Sequence, residues 1–227
     1  MKNDKELCVY CNSRFAETQD HVPPKGFFPQ PRPSNLITVP ACKECNLGSG
    51  VDEEFFLASF MFSEAGVTST GKTLWEQKLH RMYAKNNGLR RRIATLLRRV
   101  NLVTPSGLFI KRGIVIKQDE PRLAKVVAKI VRGLYYFEYK EPLDISTEII
   151  SQFLRTESDA AEAIKFNDQL LYGTRQWTNI FEYKFNRVEE NHRCSMWVIR
   201  FFGKIVFWVI SGNDNDFVKT VPFSNNS

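Results

Sequence analysis

The sequence predicts an α+β protein in which a small metal-stapled module precedes a region of helices and an antiparallel sheet. Three observations predict this class: two pairs of cysteines near the N-terminus, apolar residues at helical spacing through the middle of the chain, and aromatic and β-branched stretches toward its end. A chain of 227 residues with 43% hydrophobic residues can bury a sizeable core. We predict a module over residues 1–64 and a second region over residues 65–227.

The first fifty residues contain two C-x-x-C pairs. Cys8 and Cys11 form one pair and Cys42 and Cys45 the other, with thirty residues between them. This spacing lets two knuckles meet on one tetrahedral ion, and four thiolates suit Zn²⁺. The segment has no long apolar run, so a bound ion would supply folding free energy that it lacks. The alternative is that these are four ordinary buried thiols. For the fifth cysteine, Cys194, we expect a buried reduced thiol.

The next elements are predicted to be helices. Residues 52–64 begin with three acids, which suit the first turn of a helix, and continue with an apolar body. Apolar residues within 74–100 predict two further helices, which asparagines and a glycine at 86–88 interrupt. A proline is expected to open an amphipathic helix over 121–134.

Two parts of the second region predict β-strands. Residues 108–116 indicate a short hairpin whose turn is the Lys-Arg-Gly sequence at 111–113. Residues 177–187, 196–202 and 204–210 are aromatic and β-branched with turn residues between them, which is typical of antiparallel strands. We therefore expect a three- or four-stranded antiparallel sheet packed on helices.

Positive charge is concentrated in one segment. The net charge is +7 and the pI about 9.2, and residues 72–102 contain nine basic residues against one acid. Such a surface attracts polyanions, of which nucleic acid is the commonest large one, and we expect Lys72, Arg90, Arg91 and Arg92 to contact it. The alternatives are a solvated helix face or a docking surface for an acidic partner protein.

The sequence also bears on location. Its first residues lack the apolar stretch of a secretory signal peptide. Its longest apolar stretch, residues 197–210, is too short and too charged to span a bilayer. We expect a cytoplasmic protein without membrane contact, in which cysteine pairs indicate metal before disulfide.

The residues between and just after the cysteine pairs carry a resemblance. Asp20 and His21 precede Val-Pro-Pro, Asn35 begins Asn-Leu-Ile, and Asn46 follows the second C-x-x-C directly. In this order they resemble the HNH (His-Me finger) endonuclease superfamily. The resemblance implies a ββα (HNH) module, built of a β-hairpin and a helix around one divalent metal, and it implies hydrolysis of phosphodiester bonds.

The resemblance also implies a role for each matching residue. His21 matches the general base that takes a proton from the attacking water. Asp20 matches a ligand of the catalytic metal, Mg²⁺ or Mn²⁺, and Asn35 matches the asparagine that braces the loop of the base. Asn46 replaces the histidine common at the third motif position, but its carbonyl oxygen can still bind a hard ion.

The match covers a fifth of the chain, from Cys8 to Asn46, and lacks the basic residue that often follows the motif. The substrate is expected to be nucleic acid, with DNA favoured over RNA, and a partner protein or a homo-oligomer is possible. By family habit, a stand-alone bacterial nuclease of this size would serve restriction or anti-phage defence.

Two other functions compete with this interpretation. Residues 66–73 fit G-x-x-x-x-G-K-T, the phosphate loop of nucleoside triphosphatases, which would need a buried strand before it and a helix after it. The other alternative is a zinc-containing module that binds nucleic acid without cleaving it, because the asparagine variant no longer holds a catalytic metal.

Overall fold

The computed structural model describes residues 6–62, 64–117, 120–154, 172–177 and 179–213, together with residues 159, 161, 165 and 216. These residues form helices and antiparallel sheets, and four cysteines cluster near the N-terminus, which confirms the α+β class. We find in this part of the chain no helix with the length and hydrophobicity that crossing a bilayer requires.

A hairpin and two helices form the N-terminal part. In chain order its elements are β1 (Thr18–Val22), a 3₁₀ turn (Lys25–Phe27), β2 (Ile37–Ala41), α1 (Lys43–Leu47) and α2 (Gly50–Met61). The strands are antiparallel, with Asp20 opposite Val39. The Sγ atom of Cys42 caps α1 by accepting from the backbone nitrogen of Cys45 at 3.5 Å. The helix predicted over 52–64 is confirmed as α2.

A series of helical segments follows. These are α3 (Glu64–Val67), α4 (Ser69–Leu74), a π-helical turn (Trp75–Leu79), α5 (His80–Lys85) and α6 (Asn87–Leu96). The interruption predicted at 86–88 is confirmed, because Asn86 lies between α5 and α6 and caps α6 by accepting from the Leu89 nitrogen at 2.9 Å. The helix does not reach residue 100 as predicted, since residues after Leu96 are extended.

The second hairpin is longer than predicted and turns elsewhere. β3 (Leu97–Val103) pairs with β4 (Phe109–Ile116), and the Lys-Arg-Gly sequence at 111–113 lies inside β4. The predicted turn is therefore wrong. The observed turn is Thr-Pro-Ser-Gly, in which Gly107 has a φ of +87° and donates its backbone N–H to the carbonyl of Thr104 at 2.9 Å. Proline and a glycine at positive φ suit a turn better than two long basic side chains.

One long helix and a five-stranded sheet complete the fold. They are α7 (Glu120–Tyr139), β5 (Glu148–Leu154), β6 (Tyr172–Trp177), β7 (Phe181–Val188), β8 (Asn191–Phe201) and β9 (Ile205–Gly212). The sheet order is β5-β9-β8-β7-β6, and neighbouring strands are antiparallel. The helix predicted over 121–134 and the two last strands are confirmed. The stretch predicted as one strand over 177–187 is two strands, because Asn179 turns the chain with a φ of 55°.

The apolar core is continuous from the N-terminal hairpin to the sheet. Phe56 of α2 lies between Phe27 of the 3₁₀ turn and Phe201 of β8, at ring-centroid distances of 5.3 and 5.1 Å. All three rings are buried. The core thus contains residues from both predicted regions, 1–64 and 65–227. The division of the chain into these two regions remains a prediction. Packing on α2 and the sheet therefore helps to hold the N-terminal segment.

Candidate active site

β1 and α1 place three of the predicted residues around one cleft. Side chains alternate along β1, so that Asp20 points inward and is 7% exposed, while His21 is partly exposed. Asn46 lies on α1, and its amide nitrogen donates to the Thr18 hydroxyl of β1 at 3.0 Å. Asp20, His21 and Asn46 line the same cleft of about 440 Å³, which we call the cleft from here on.

Two partly buried side chains hold the carboxylate of Asp20. Tyr10 donates its hydroxyl to Asp20 Oδ2 at 3.0 Å, and the Nζ atom of Lys129 lies 2.8 Å from the same oxygen. Burial raises the pKa of Tyr10 well above its ordinary value, and the charge of Asp20 raises it further, so the phenol stays protonated and remains a donor. Asp20 is therefore fixed in position, and Lys129 balances its charge.

The register of α7 on β1 explains how Lys129 reaches Asp20. Lys129 and Gly133 are four residues apart and therefore lie on one face of α7. A Cβ atom at Gly133 would come within 2.5 Å of the Val22 side chain, so the missing side chain lets the helix approach the strand. Asp20 and Val22 share the inward face of β1. Lys129 contacts Asp20, and Gly133 lies against Val22.

Lys129 also binds a second carboxylate. Its Nζ atom lies 2.9 Å from Glu53 Oε1 and 2.5 Å from the Ser49 hydroxyl, and Ser49 donates to the same Glu53 oxygen at 2.6 Å. The Lys129 side chain is 14% exposed, and those of Asp20 and Glu53 are 10% and 19% exposed. One partly buried ammonium thus connects α7, β1 and the start of α2 beside the cleft.

Replacing this lysine by a residue of similar shape without charge should destabilise the fold. In Lys129→Met, the buried carboxylate of Asp20 and the partly buried one of Glu53 would lose their common cation, and removing one partner of a buried ion pair costs about 3–5 kcal/mol. We expect a loss of that size in the free energy of unfolding, measured by urea denaturation. Lys125→Met is the control, because Lys125 is exposed on the same helix. Equal stability of the two variants would contradict the role given to Lys129.

The imidazole of His21 lies among positive charges. Partial burial lowers its pKa, Lys25 and Arg32 lower it further, and Asp20 opposes them without reversing the shift. The resulting pKa is below the ordinary value of 6.5. His21 is therefore mostly neutral at pH 7, the form in which an imidazole can accept a proton.

The four cysteines predicted as metal ligands lie together. Their Sγ atoms are all within 4.8 Å of one another. A tetrahedral zinc site with Zn–S bonds of about 2.3 Å needs sulfur atoms roughly 3.8 Å apart, so small side-chain movements would close the site. Cys8 and Cys42 are buried, and Cys11 and Cys45 are partly exposed. The cluster could hold a metal ion such as zinc.

Neighbouring residues favour a thiolate in this cluster. Burial raises the pKa of Cys11, but hydrogen bonds from Ser13 and Arg14 outweigh it and bring the pKa to about 5. Burial and the neighbouring sulfur atoms raise the pKa of Cys45. One thiolate is thus stabilised by the protein, and the ionisation of further thiols would be favoured by a bound cation.

Asn35 and the predicted nucleic-acid contacts are not among the residues that line the cleft. Asn35 is exposed in the loop before β2, and its backbone carbonyl accepts from Trp177 Nε1 at 3.3 Å. Lys72 is exposed on α4, and Arg90 to Arg92 are exposed on α6.

The start of α6 nevertheless lies close to the cleft. Asn86, the residue that caps this helix, donates to Glu54 Oε2 at 3.2 Å, and Glu54 lines the cleft. Arg90 is one helical turn further along. The basic residues of α6 therefore begin beside the cleft.

The G-x-x-x-x-G-K-T sequence at 66–73 does not have the surroundings of a triphosphate loop. The element before it is helix α2, where a phosphate loop requires a buried strand. Close packing accounts for its two glycines: a Cβ atom would come within 1.9 Å of the Met61 carbonyl oxygen at Gly66 and within 2.2 Å of the Ala65 carbonyl oxygen at Gly71. The sequence forms the end of α3 and most of α4, which pack closely against each other.

The sequence interpretation did not assign roles in the cleft to Lys129, Glu53 or Lys78. Lys78 was counted only within the basic segment, although it lines the cleft. One signal could have identified Lys129: it falls on the apolar face of an amphipathic helix, between Val126 and Ile130. A lysine there is buried and needs an acidic partner, but the sequence does not say which acid.

Comparisons of the chain with family models, with curated proteins and with solved structures gave no match. The assignment of a chemistry therefore rests on the side chains themselves. They offer a neutral imidazole, a fixed carboxylate and a carboxamide around one cleft, beside a cluster of four thiols.

Proposed function

We propose that this protein is a metal-dependent endonuclease of the HNH type that hydrolyses phosphodiester bonds of nucleic acid. The observation that carries the proposal is that Asp20, His21 and Asn46 line one cleft although 24 residues separate the last two. An antiparallel hairpin supplies the first two residues and the helix that follows supplies the third. This order of two strands and a helix supports the resemblance found in the motif.

The oxygen donors in the cleft fit a hard divalent cation. Asp20 and Asn46 would bind Mg²⁺ or Mn²⁺ through a carboxylate and a carboxamide oxygen, the donors that these ions prefer. Lys129 and Tyr10 already occupy Asp20 Oδ2, so Oδ1 is the carboxylate oxygen we assign to the ion. The bound ion would neutralise negative charge that develops on the leaving oxygen.

His21 acts as general base in this proposal. Its neutral imidazole takes a proton from a water molecule as that water attacks phosphorus. Partial burial favours the neutral imidazole, and the positive charges of Lys25 and Arg32 favour it further. Asp20 and His21 are neighbours in β1, so one strand positions both the metal ligand and the base.

The exposed basic residues on α4 and α6 support nucleic acid as the substrate. Lys72 and Arg90 to Arg92 are exposed, and α6 begins beside the cleft, so a strand bound along α6 would lead to His21. We favour DNA over RNA. Contacts of this kind are made to phosphate and carry no sequence information directly.

The test is cleavage of supercoiled plasmid DNA by the purified protein. We expect nicked or linear products with Mg²⁺ or Mn²⁺, and no products with EDTA. Because EDTA also binds zinc, the chelated protein is returned to excess Mg²⁺ and its thermal unfolding is followed in parallel. If Mg²⁺ restores cleavage and the unfolding temperature has not changed, the EDTA effect comes from the ion in the cleft and not from loss of zinc. Absence of cleavage with every metal, by protein that is folded, would contradict the proposal.

A second candidate is a nucleic-acid-binding module without catalysis. The observation that favours it is that Asp20 Oδ2 already has an ammonium and a hydroxyl partner, which could replace a metal rather than assist one. Tight, salt-dependent DNA binding by a protein that cleaves under no metal condition would support this candidate.

A further inference from the structure

Lys78 is a half-buried cation without a partner in the cleft. Its ammonium forms no hydrogen bond or ion pair with any residue that the structure describes. Burial lowers the pKa of Lys78, and the carboxylates of Glu54 and Glu53 oppose this shift without forming an ion pair with it. A partly desolvated charge without a partner is unfavourable, so this position suits an anion that arrives from solution.

The glycine beside Lys78 makes room for its ammonium. A Cβ atom at Gly26, in the 3₁₀ turn, would come within 2.6 Å of Lys78 Nζ and meets nothing else within 4 Å. The lysine head therefore lies against the backbone of this turn. An alanine at position 26 would displace the flexible end of Lys78 while leaving the backbone unchanged.

Two further cations of the same cleft come from the loop that carries Gly26. Arg32 donates its Nε to the backbone carbonyl of Lys25 at 3.0 Å, and both side chains line the cleft. Arg32 lowers the pKa of Lys78, and the three cations line the same cleft as His21.

Hydrogen bonds fix this loop to the helix that carries Lys78. Gln77 accepts from the backbone nitrogen of Gln30 at 2.7 Å and donates to its carbonyl at 3.0 Å. Gln77 and Lys78 belong to the π-helical turn, an irregularity that is frequent at functional sites. The positions of Arg32 and Lys78 relative to each other are therefore set by the fold.

We propose that Lys25, Arg32 and Lys78 form a phosphate-binding subsite that holds the phosphodiester next to the one that is cleaved. The inference rests on the proposed function and extends it to the class of substrate. Guanidinium and ammonium groups together bind phosphate oxygens well, whereas the carboxylate of Asp20 suits a metal ion. Asp20, His21 and the three cations line the same cleft. A substrate must then carry two successive phosphodiesters, so it is a polynucleotide strand rather than a mononucleotide.

The test measures binding without cleavage. A fluorescein-labelled DNA duplex is titrated with His21→Ala protein in Mg²⁺, and affinity is followed by fluorescence anisotropy at several salt concentrations. Adding Lys78→Met should lower the slope of log affinity against log salt by about 0.9, the contribution of one phosphate contact on a duplex. The same contact corresponds to a roughly eightfold loss of affinity at 0.1 M salt.

Two further variants separate this effect from general charge and from misfolding. Gly26→Ala keeps Lys78 but displaces its ammonium, and it should weaken binding in the same direction at an unchanged unfolding temperature. Lys125→Met removes one charge from an exposed position on α7 outside the cleft. It should lower the affinity for DNA only by the small amount that follows from the change in net charge.

The outcomes distinguish the subsite from the nuclease. Equal slopes for Lys78→Met and Lys125→Met would overturn the subsite, even where the wild-type protein cleaves plasmid DNA. A lower slope for Lys78→Met in a protein that never cleaves would support the subsite and refute the nuclease. No measurable binding of the duplex by the parent protein would overturn the subsite directly.

Discussion

Replacing His21 by alanine is expected to lower the rate of plasmid cleavage by a factor of about 10² to 10⁴. This is the usual contribution of a general base to proton transfer in the transition state. His21 lines the cleft and is partly exposed, and its side chain forms no hydrogen bond or ion pair with the residues that the structure describes. We therefore expect the variant to fold normally and to bind DNA with the affinity of the wild-type protein.

His80→Ala is the matched control for this experiment. His80 is exposed in α5 and is not among the residues that line the cleft. Its replacement should leave the cleavage rate unchanged. The rates are measured under single-turnover conditions, so that binding and chemistry are separated. If His21→Ala and His80→Ala cleaved at the same rate, His21 would not be the base.

Removing one cysteine pair is expected to have the largest effect on stability. Structural zinc in small modules contributes roughly 10–16 kcal/mol, which is comparable with the whole stability of an ordinary domain. In Cys8→Ser/Cys11→Ser, the hairpin and α1 would lose this contribution. Even a loss of about 5 kcal/mol lowers the unfolding temperature of a chain of this size by about 10 °C or more. Scanning calorimetry measures the shift.

Metal content makes the result specific to zinc. Wild-type protein should contain one zinc ion per chain by mass spectrometry, and the double variant should contain none. Cys194→Ser is the control, because Cys194 lies on β8 and is not part of the four-cysteine cluster. Its replacement should leave both the zinc content and the unfolding temperature nearly unchanged. Wild-type protein without zinc, and with the stability of the double variant, would show that the thiols are ordinary core residues.

Elements with a strong local signal were predicted well. Helix α2 begins with acids and continues with an apolar body, helix α7 has a proline near its start and an apolar face, and β8 and β9 are dense in β-branched and aromatic residues. The hairpin of β3 and β4 was misplaced because its residues are largely exposed, so burial imposes no alternation by which the strands can be recognised. Its turn chemistry, Thr-Pro-Ser-Gly, was the better signal.

The candidate site divides in the same way. The four cysteines were identified from the spacing of two C-x-x-C pairs, whereas Asp20, His21 and Asn46 were predicted from the resemblance to the HNH motif. Lys129 lies more than a hundred residues after Asp20 in the chain, and its position depends on how α7 packs against β1. Lys78 reaches the cleft through a helical turn and a glycine that gives it space.

The sequence by itself determined the α+β class, the set of four thiols and the order of the motif residues, because each depends only on local spacing or composition. The tertiary structure alone decided which charges surround that motif. Asp20 meets Lys129 through the register of a helix on a strand, and Lys78, beside Gly26, has no hydrogen-bond or ion-pair partner among the residues that the structure describes. Electrostatic interactions depend on distance and burial in space, so the pairing of these charges followed from packing and not from their order in the chain.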